Sequence, residues 1–257
     1  MRARVIPCLL LDGTTLLKTV KFGAPTYIGD PVNTVRIFNE LEVDELCLLD
    51  VAATRERRPP NFDVLAEVAS EAFMPLCYGG GVRDVETAGK LLRIGFEKVV
   101  LNSAAVERPR LVTEVAEAFG RQAVIVSIDA RKKLLRGYEV VTASATRKTG
   151  LDPVEWAARA ADLGAGELLI TAVDREGTWS GYDTQLIAQV TRKVSVPVIA
   201  NGGAGRVEHL AEAVFEGGAA AVALGSMVVF QGKDLGVLVN FPDRAELRRV
   251  LKDRAPF

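Results

Sequence analysis

Asp129 ends an apolar run at 123–128. A carboxylate at the end of a buried strand, partly withdrawn from water, is suited to proton transfer. A helix cap or an ion pair with Arg131 are its structural alternatives. Two glycine-rich turns offer a second kind of chemistry. The stretch 196–229 reads VPVIANGGAGRVEHLAEAVFEGGAAAVALGSMVV. It is a β-branched run, a turn with Gly202, Gly203 and Gly205, an amphipathic run to Phe215, a second apolar run, and Gly225-Ser226. Such turns bring backbone N–H groups close to a ligand and suit a phosphate. The pattern occurs twice: GGGVRDVETAGKLL (79–92) matches GGAGRVEHLAEAVF (202–215) at an offset of 122, with Gly80 on Gly202. Two related anion sites, at the ends of strands 3–4 and 7–8, fit a substrate with a phosphate at each end. Asp50 ends the second strand and Asp174 lies just past the sixth, where each either orients substrate hydroxyls or braces a loop.

The elements that must carry these residues alternate. Strands are expected at 5–11, 45–51, 74–78, 98–101, 123–129, 167–173, 197–200 and 221–224, and helical patterns at 32–41, 62–72, 85–94, 109–119, 153–163, 184–191 and 207–215. Eight such units predict a single (β/α)8 TIM barrel over 1–257, in preference to an open doubly wound sheet. It is built of two half-barrel repeats, about 1–120 and 121–240, with a C-terminal helix at about 243–252. Two βα loops are long. The loop 14–29 carries Lys18 and Lys21, and 130–150 reads as a small hairpin with basic residues; loops on this face build substrate covers.

The net charge of −1 and a pI near 6.0 suggest neither nucleic acid nor an anionic membrane as partner. Three cysteines, Cys8, Cys47 and Cys77, all in apolar runs, argue against a disulfide framework. The single histidine, His209, is expected on a helix surface, which leaves no histidine-based metal site. With no signal peptide and no long apolar run, a soluble cytoplasmic protein is expected.

Together the motifs VDELCLLD (43–50), GGGVRDVETA (79–88), NSAAV (102–106), AVIVSIDA (123–130), GAGELLITAVDREGTWSGYD (164–183) and ANGGAG (200–205) resemble the cyclase subunit of imidazole glycerol phosphate synthase, a glutamine amidotransferase of histidine biosynthesis. The resemblance runs from about residue 4 to 230. It implies a barrel without metal or cofactor that holds a bisphosphorylated ribulosyl aminoimidazole intermediate. Gly81, Asn102 and Ser103, beside Gly80, match one phosphate site, and Gly177, Gly203, Gly225 and Ser226, beside Gly202, the other. Lys18, Asp50, Thr171 and Asn201 match substrate-contacting positions, although a serine is expected at Asn201. It also implies ammonia delivery from a glutaminase subunit on the N-terminal face, past a gate of Arg4, Glu45, Lys98 and Glu167.

One departure bears on the chemistry. The family uses two aspartates, the first in a segment resembling C-L-D-V-K-D-G. Here that segment is CLLLDG (8–13), with Leu10 at the position of the first aspartate and Asp129 retained as the second. The stretches KTVKF (18–22), YIGDPVN (27–33), RIFNELEVDEL (36–46) and MPLCYGGGV (74–82) resemble a divergent branch of the family. Its members are associated with surface-polysaccharide biosynthesis. There a glutaminase and a third protein help convert a sugar acetamido group to an acetamidino group. Three functions follow. The first is a synthase-like subunit that amidates a sugar-linked acceptor with Asp129 as acid/base. The second is an authentic cyclase in which Asp12 replaces the missing acid. The third is a non-catalytic partner that docks and activates a glutaminase.

Overall fold

The computed structural model describes residues 3–135 and 137–251. Eight strands form the barrel: β1 (Arg4–Asp12), β2 (Leu46–Asp50), β3 (Leu76–Gly79), β4 (Lys98–Leu101), β5 (Val124–Lys132), β6 (Glu167–Ala172), β7 (Val198–Asn201) and β8 (Ala221–Leu224). Each pairs in parallel with the next. The last returns to the first, Arg4 opposite Ala221 and Pro7 opposite Leu224, so the barrel has no free edge.

Eight helices cover its outside: α1 (Pro31–Glu40), α2 (Phe62–Glu71), α3 (Val85–Arg93), α4 (Arg110–Phe119), α5 (Pro153–Asp162), α6 (Thr184–Thr191), α7 (Val207–Phe215) and α8 (Arg244–Val250). Position 252, expected in the last helix, lies outside the described residues. Local chemistry sets the helix starts. Asp30, Asn61, Asp84, Asp152, Asp183 and Asp243 each accept a backbone N–H of the first turn.

The strands alternate between two cores. Outward residues such as Leu46, Leu48, Val126 and Ile170 pack under the helices. Inward residues Ile6, Cys8, Cys47, Cys77, Val100, Ile125, Leu169, Ile199, Ala221 and Ala223 fill the barrel. The three cysteines are free, and they line one interior wall in register, Cys8 opposite Cys47 and Cys47 opposite Cys77.

One difference from the sequence reading concerns a loop and another concerns His209. The hairpin after β5 forms as expected from Tyr138–Thr142 and Arg147–Lys148. The end of β5 also runs antiparallel to Tyr138–Thr142, from Asp129 opposite Val141 to Lys132 opposite Tyr138, which makes a second hairpin, the β5 hairpin. The long loop 14–29 after β1, for which no strand is expected from the sequence, also contains strands, Thr15–Lys18 and Thr26–Gly29. Runs of four residues such as TLLK and TYIG carry too little alternation to announce a strand. His209 is not a surface residue. It is buried, and its Nδ1 accepts the backbone N–H of Gly205 at 3.2 Å, satisfying a donor of the glycine turn. Among the described residues no helix is long and apolar enough to cross a membrane.

Candidate active site and charged gate

The C-terminal ends of β4 to β7 bring four predicted residues into one chain of hydrogen bonds. Asn102 donates to Asp129 Oδ2 at 3.0 Å. Thr171, beside Asp129 in register, also hydrogen-bonds its carboxylate. Asn201 Nδ2 donates to Thr171 Oγ1 at 3.0 Å, which leaves the threonine hydroxyl proton to Asp129. Asp129 is 8% exposed. Burial raises its pKa to about 6, against the opposing pull of Asn102 and Thr171. A carboxylate tuned this way exchanges protons near neutral pH.

Lys18 is folded over the same mouth. It forms a buried ion pair with Glu176 and donates to the Thr19 carbonyl at 3.3 Å. Burial draws its ammonium down to about 8. The Glu176 carboxylate in contact sets an opposite charge against the ammonium, the arrangement a buried cation requires.

Other predicted residues serve as braces. The Asp50 side chain is fully buried. It accepts two bonds from Arg58, at 2.6 and 2.9 Å, and the backbone N–H groups of Gly13, Ala52 and Ala53. Its acceptor capacity is spent within the protein. Asp174 accepts the backbone N–H of Lys132 at 2.7 Å and holds the last residue of β5 before its turn. Asp12 lies on the rim with a side chain 49% exposed, 3.4 Å from Arg58. No contact joins it to Asp129 among the described residues. Ile6 and Cys8 face the barrel interior, so Leu10 faces it too. The β1 end of the mouth therefore presents an alkyl group.

Two turns need glycine. Gly80 has φ +127°, and a Cβ there would meet Asp50 at 2.6 Å. Gly203 has φ +112°, and a Cβ there would overlap the Gly181 carbonyl. Gly81, Gly177 and Gly202 also have positive φ. Beyond the turns, Asn102 and Gly225 hold nearly the same backbone, φ −120° ψ −95° and φ −100° ψ −95°. Each opens a short helix, Ser103–Glu107 and Ser226–Val229. The two halves thus present matched ends at Ser103 and Ser226, both buried. Ser103 Oγ also accepts the Ala143 N–H of the hairpin at 3.0 Å. Gly203→Ala is expected to cost about 2–3 kcal/mol of stability. Denaturant unfolding checks this, with calorimetry expected to show weakened binding of a phosphorylated ligand.

At the opposite mouth the four predicted charges form a closed ring. Arg4 bonds Glu45 at 2.6 Å and Glu167 at 2.9 Å, and Lys98 bonds the same carboxylates at 2.9 and 3.2 Å. Every charge has two partners of opposite sign, the condition under which a poorly hydrated ion pair is tolerable.

Sequence reasoning missed Arg58 and Glu176. Arg58 stands in RERR (55–58), which reads as a solvated basic run, and Glu176 lies in a loop without periodicity. Lys18 lies 158 positions (176 − 18) from Glu176, and Asp50 and Arg58, though near in the chain, stand on either side of the short helix Ala53–Glu56 with no periodicity to pair them.

A parallel barrel with a desolvated carboxylate at one mouth and a ring of ion pairs across the other defines a class, the barrels of histidine-biosynthesis type. The family model described as "Histidine biosynthesis protein" matches residues 4–234. A protein of Pseudomonas aeruginosa named hisF2 is 46% identical over 243 residues, 95% of this chain and 97% of its own. A Vibrio vulnificus protein named hisF3 is 42% identical over 253 residues, 98% and 97% of the two chains. The imidazole glycerol phosphate synthase subunit HisF of Streptomyces coelicolor is 46% identical over 236 residues, 92% and 94%. The chain belongs to the family of the imidazole glycerol phosphate synthase cyclase subunit, HisF.

Proposed function

We propose that this chain is the ammonia-accepting synthase subunit of a two-component glutamine amidotransferase. A glutaminase docks on its N-terminal face, ammonia passes the ring of Arg4, Glu45, Lys98 and Glu167, and Asp129 handles protons at the far end. The acceptor is phosphorylated or sugar-linked, and a third protein takes part as an acetamido group becomes an acetamidino group. The observation that carries this reading is Leu10. It faces the barrel where the family places its first aspartate, while the gate and Asp129 are retained. A site that keeps delivery and one acid/base group but lacks the second suits a reaction with fewer proton transfers than ring closure. Attack of ammonia on an activated amide carbon needs one base, to take a proton from the added nitrogen as the activated oxygen departs.

The similarity to the Streptomyces coelicolor HisF, equal at 46% to that with hisF2, supports a second reading, an authentic cyclase. In it Asp12 leaves Arg58 and turns inward. Ammonia-dependent consumption of the ribulosyl aminoimidazole intermediate, at high ammonium and without glutaminase, separates the two. Turnover of about one per second or faster identifies a cyclase. Binding without turnover supports the changed acceptor. Leu10→Asp is expected to raise ring closure at least about tenfold by restoring the second carboxylate; if Asp12→Asn instead abolishes turnover in the unmodified chain, the first reading fails.

A further inference from the structure

We infer that the tip of the β5 hairpin is a docking site for an anionic phospholipid surface, which the barrel meets with its C-terminal mouth. Leu134 and Leu135 are adjacent and almost wholly exposed, at 103% and 97%. They sit at the tip of the hairpin closed by the bond from Lys133 N to the Gly137 carbonyl, 2.9 Å. Two fully exposed leucines side by side are costly to leave in water and carry nothing for the barrel itself. Lys132 and Lys133 immediately precede them, and both side chains are exposed. Cations beside protruding apolar residues form the pattern that enters the boundary between headgroups and acyl chains.

A pocket of about 400 Å³ opens beside the tip, lined by Lys132, Lys133, Gly137, Tyr138, Gln185 and Gln189. Two ammonium groups and two carboxamides suit a phosphate with hydroxyl substituents, the chemistry of a phosphatidylglycerol headgroup. Carboxylates also face this region. Asp183 lies 3.5 Å from Lys132 and accepts the Tyr138 hydroxyl, and Asp174 holds the Lys132 backbone. Lys132 therefore stays partly engaged, over the Tyr138 ring at 5.9 Å. No carboxylate among the described residues pairs with Lys133, which makes it the principal cation for a lipid phosphate. The chain's net charge of −1 provides no long-range attraction, so the contact depends on the leucines and lysines together.

The arrangement does not depend on the identity of the acceptor, and its test uses no turnover. The purified full chain is floated with vesicles of equimolar phosphatidylglycerol and phosphatidylcholine, and separately with pure phosphatidylcholine. Binding is expected on the anionic vesicles alone, weakening as salt rises. Leu134→Ser with Leu135→Ser, and Lys133→Gln alone, are each expected to lower the bound fraction at least about fivefold. Both leucines are almost wholly exposed among the described residues, so unfolding temperatures should match the parent and a folding defect cannot imitate the loss. Three outcomes overturn the inference: no binding to anionic vesicles at millimolar lipid, equal binding by the leucine variant, or equal binding to phosphatidylcholine. Loss of complex formation with the glutaminase in the leucine variant would make the tip a protein contact and sink it as well.

Discussion

Asp129→Asn is expected to lower ammonia-dependent product formation about a hundredfold to ten-thousandfold while making the protein more stable at neutral pH. The loss follows from removing the buried carboxylate that the Asn102 and Thr171 hydrogen bonds hold in place at the C-terminal mouth. The gain follows from the sign of its pKa shift. The carboxyl titrates near 3.8 in the unfolded chain and near 6 in the native one. Below about pH 4 both states are protonated and burial of the acid costs little. Between 3.8 and about 6 the native state holds a proton that the unfolded chain has lost, so stability falls as pH rises. Above that window the full cost of the buried charge remains, an upper bound of roughly 3 kcal/mol. Asparagine keeps the shape and removes the charge, so denaturant unfolding should show a gain of about 1–2 kcal/mol at pH 7.5 that disappears near pH 4. In the unmodified protein the rate should fall as pH drops below about 6, because only the ionised acid accepts a proton. Amidation at full rate by Asp129→Asn would leave the chain as a non-catalytic partner of its glutaminase.

Much of this site is legible in the chain because strand periodicity and glycine turns are local. The apolar run before Asp129 fixes its place at a strand end, and the repeat at 79–92 and 202–215 announces two related turns before any coordinates exist. The alternation of strands and helices gives the barrel for the same reason. What the chain conceals is pairing across it. Glu176 meets Lys18 across 158 positions (176 − 18), and Arg58 turns Asp50 from a candidate ligand contact into a brace. Asp12 looks equivalent to a displaced catalytic acid in one dimension. In three it lies on the rim beside a guanidinium, because β1 runs on past Leu10 into its antiparallel pairing with Thr15–Lys18, where Asp12 is the last paired residue. His209 misled for a related reason: helical periodicity describes the outer surface of α7 but not the orphan N–H of Gly205 that the imidazole satisfies.

Lys98→Met is expected to uncouple glutamine hydrolysis from product formation and to destabilise the barrel. In the intact ring Glu45 and Glu167 each accept from both Arg4 and Lys98, so two carboxylates balance two cations. Removing Lys98 leaves both acids on Arg4 alone and gives the ring a net negative charge. Side-chain exposures of 4% for Glu45 and 14% for Glu167 leave little water to compensate. Breaking a fully buried pair costs about 3–5 kcal/mol, and the partial exposure of Arg4 reduces this to about 2 kcal/mol here. With the glutaminase bound, product formed per glutamate released should fall about tenfold, while turnover with added ammonium stays within about twofold. That split assigns the ring to delivery, since ammonium in bulk reaches Asp129 from the open C-terminal mouth. A merely structural ring would move both activities together. Adding Glu167→Gln to Lys98→Met returns the ring to neutrality and should recover most of the lost stability. It should not recover coupling, because a ring of one ion pair no longer spans the mouth.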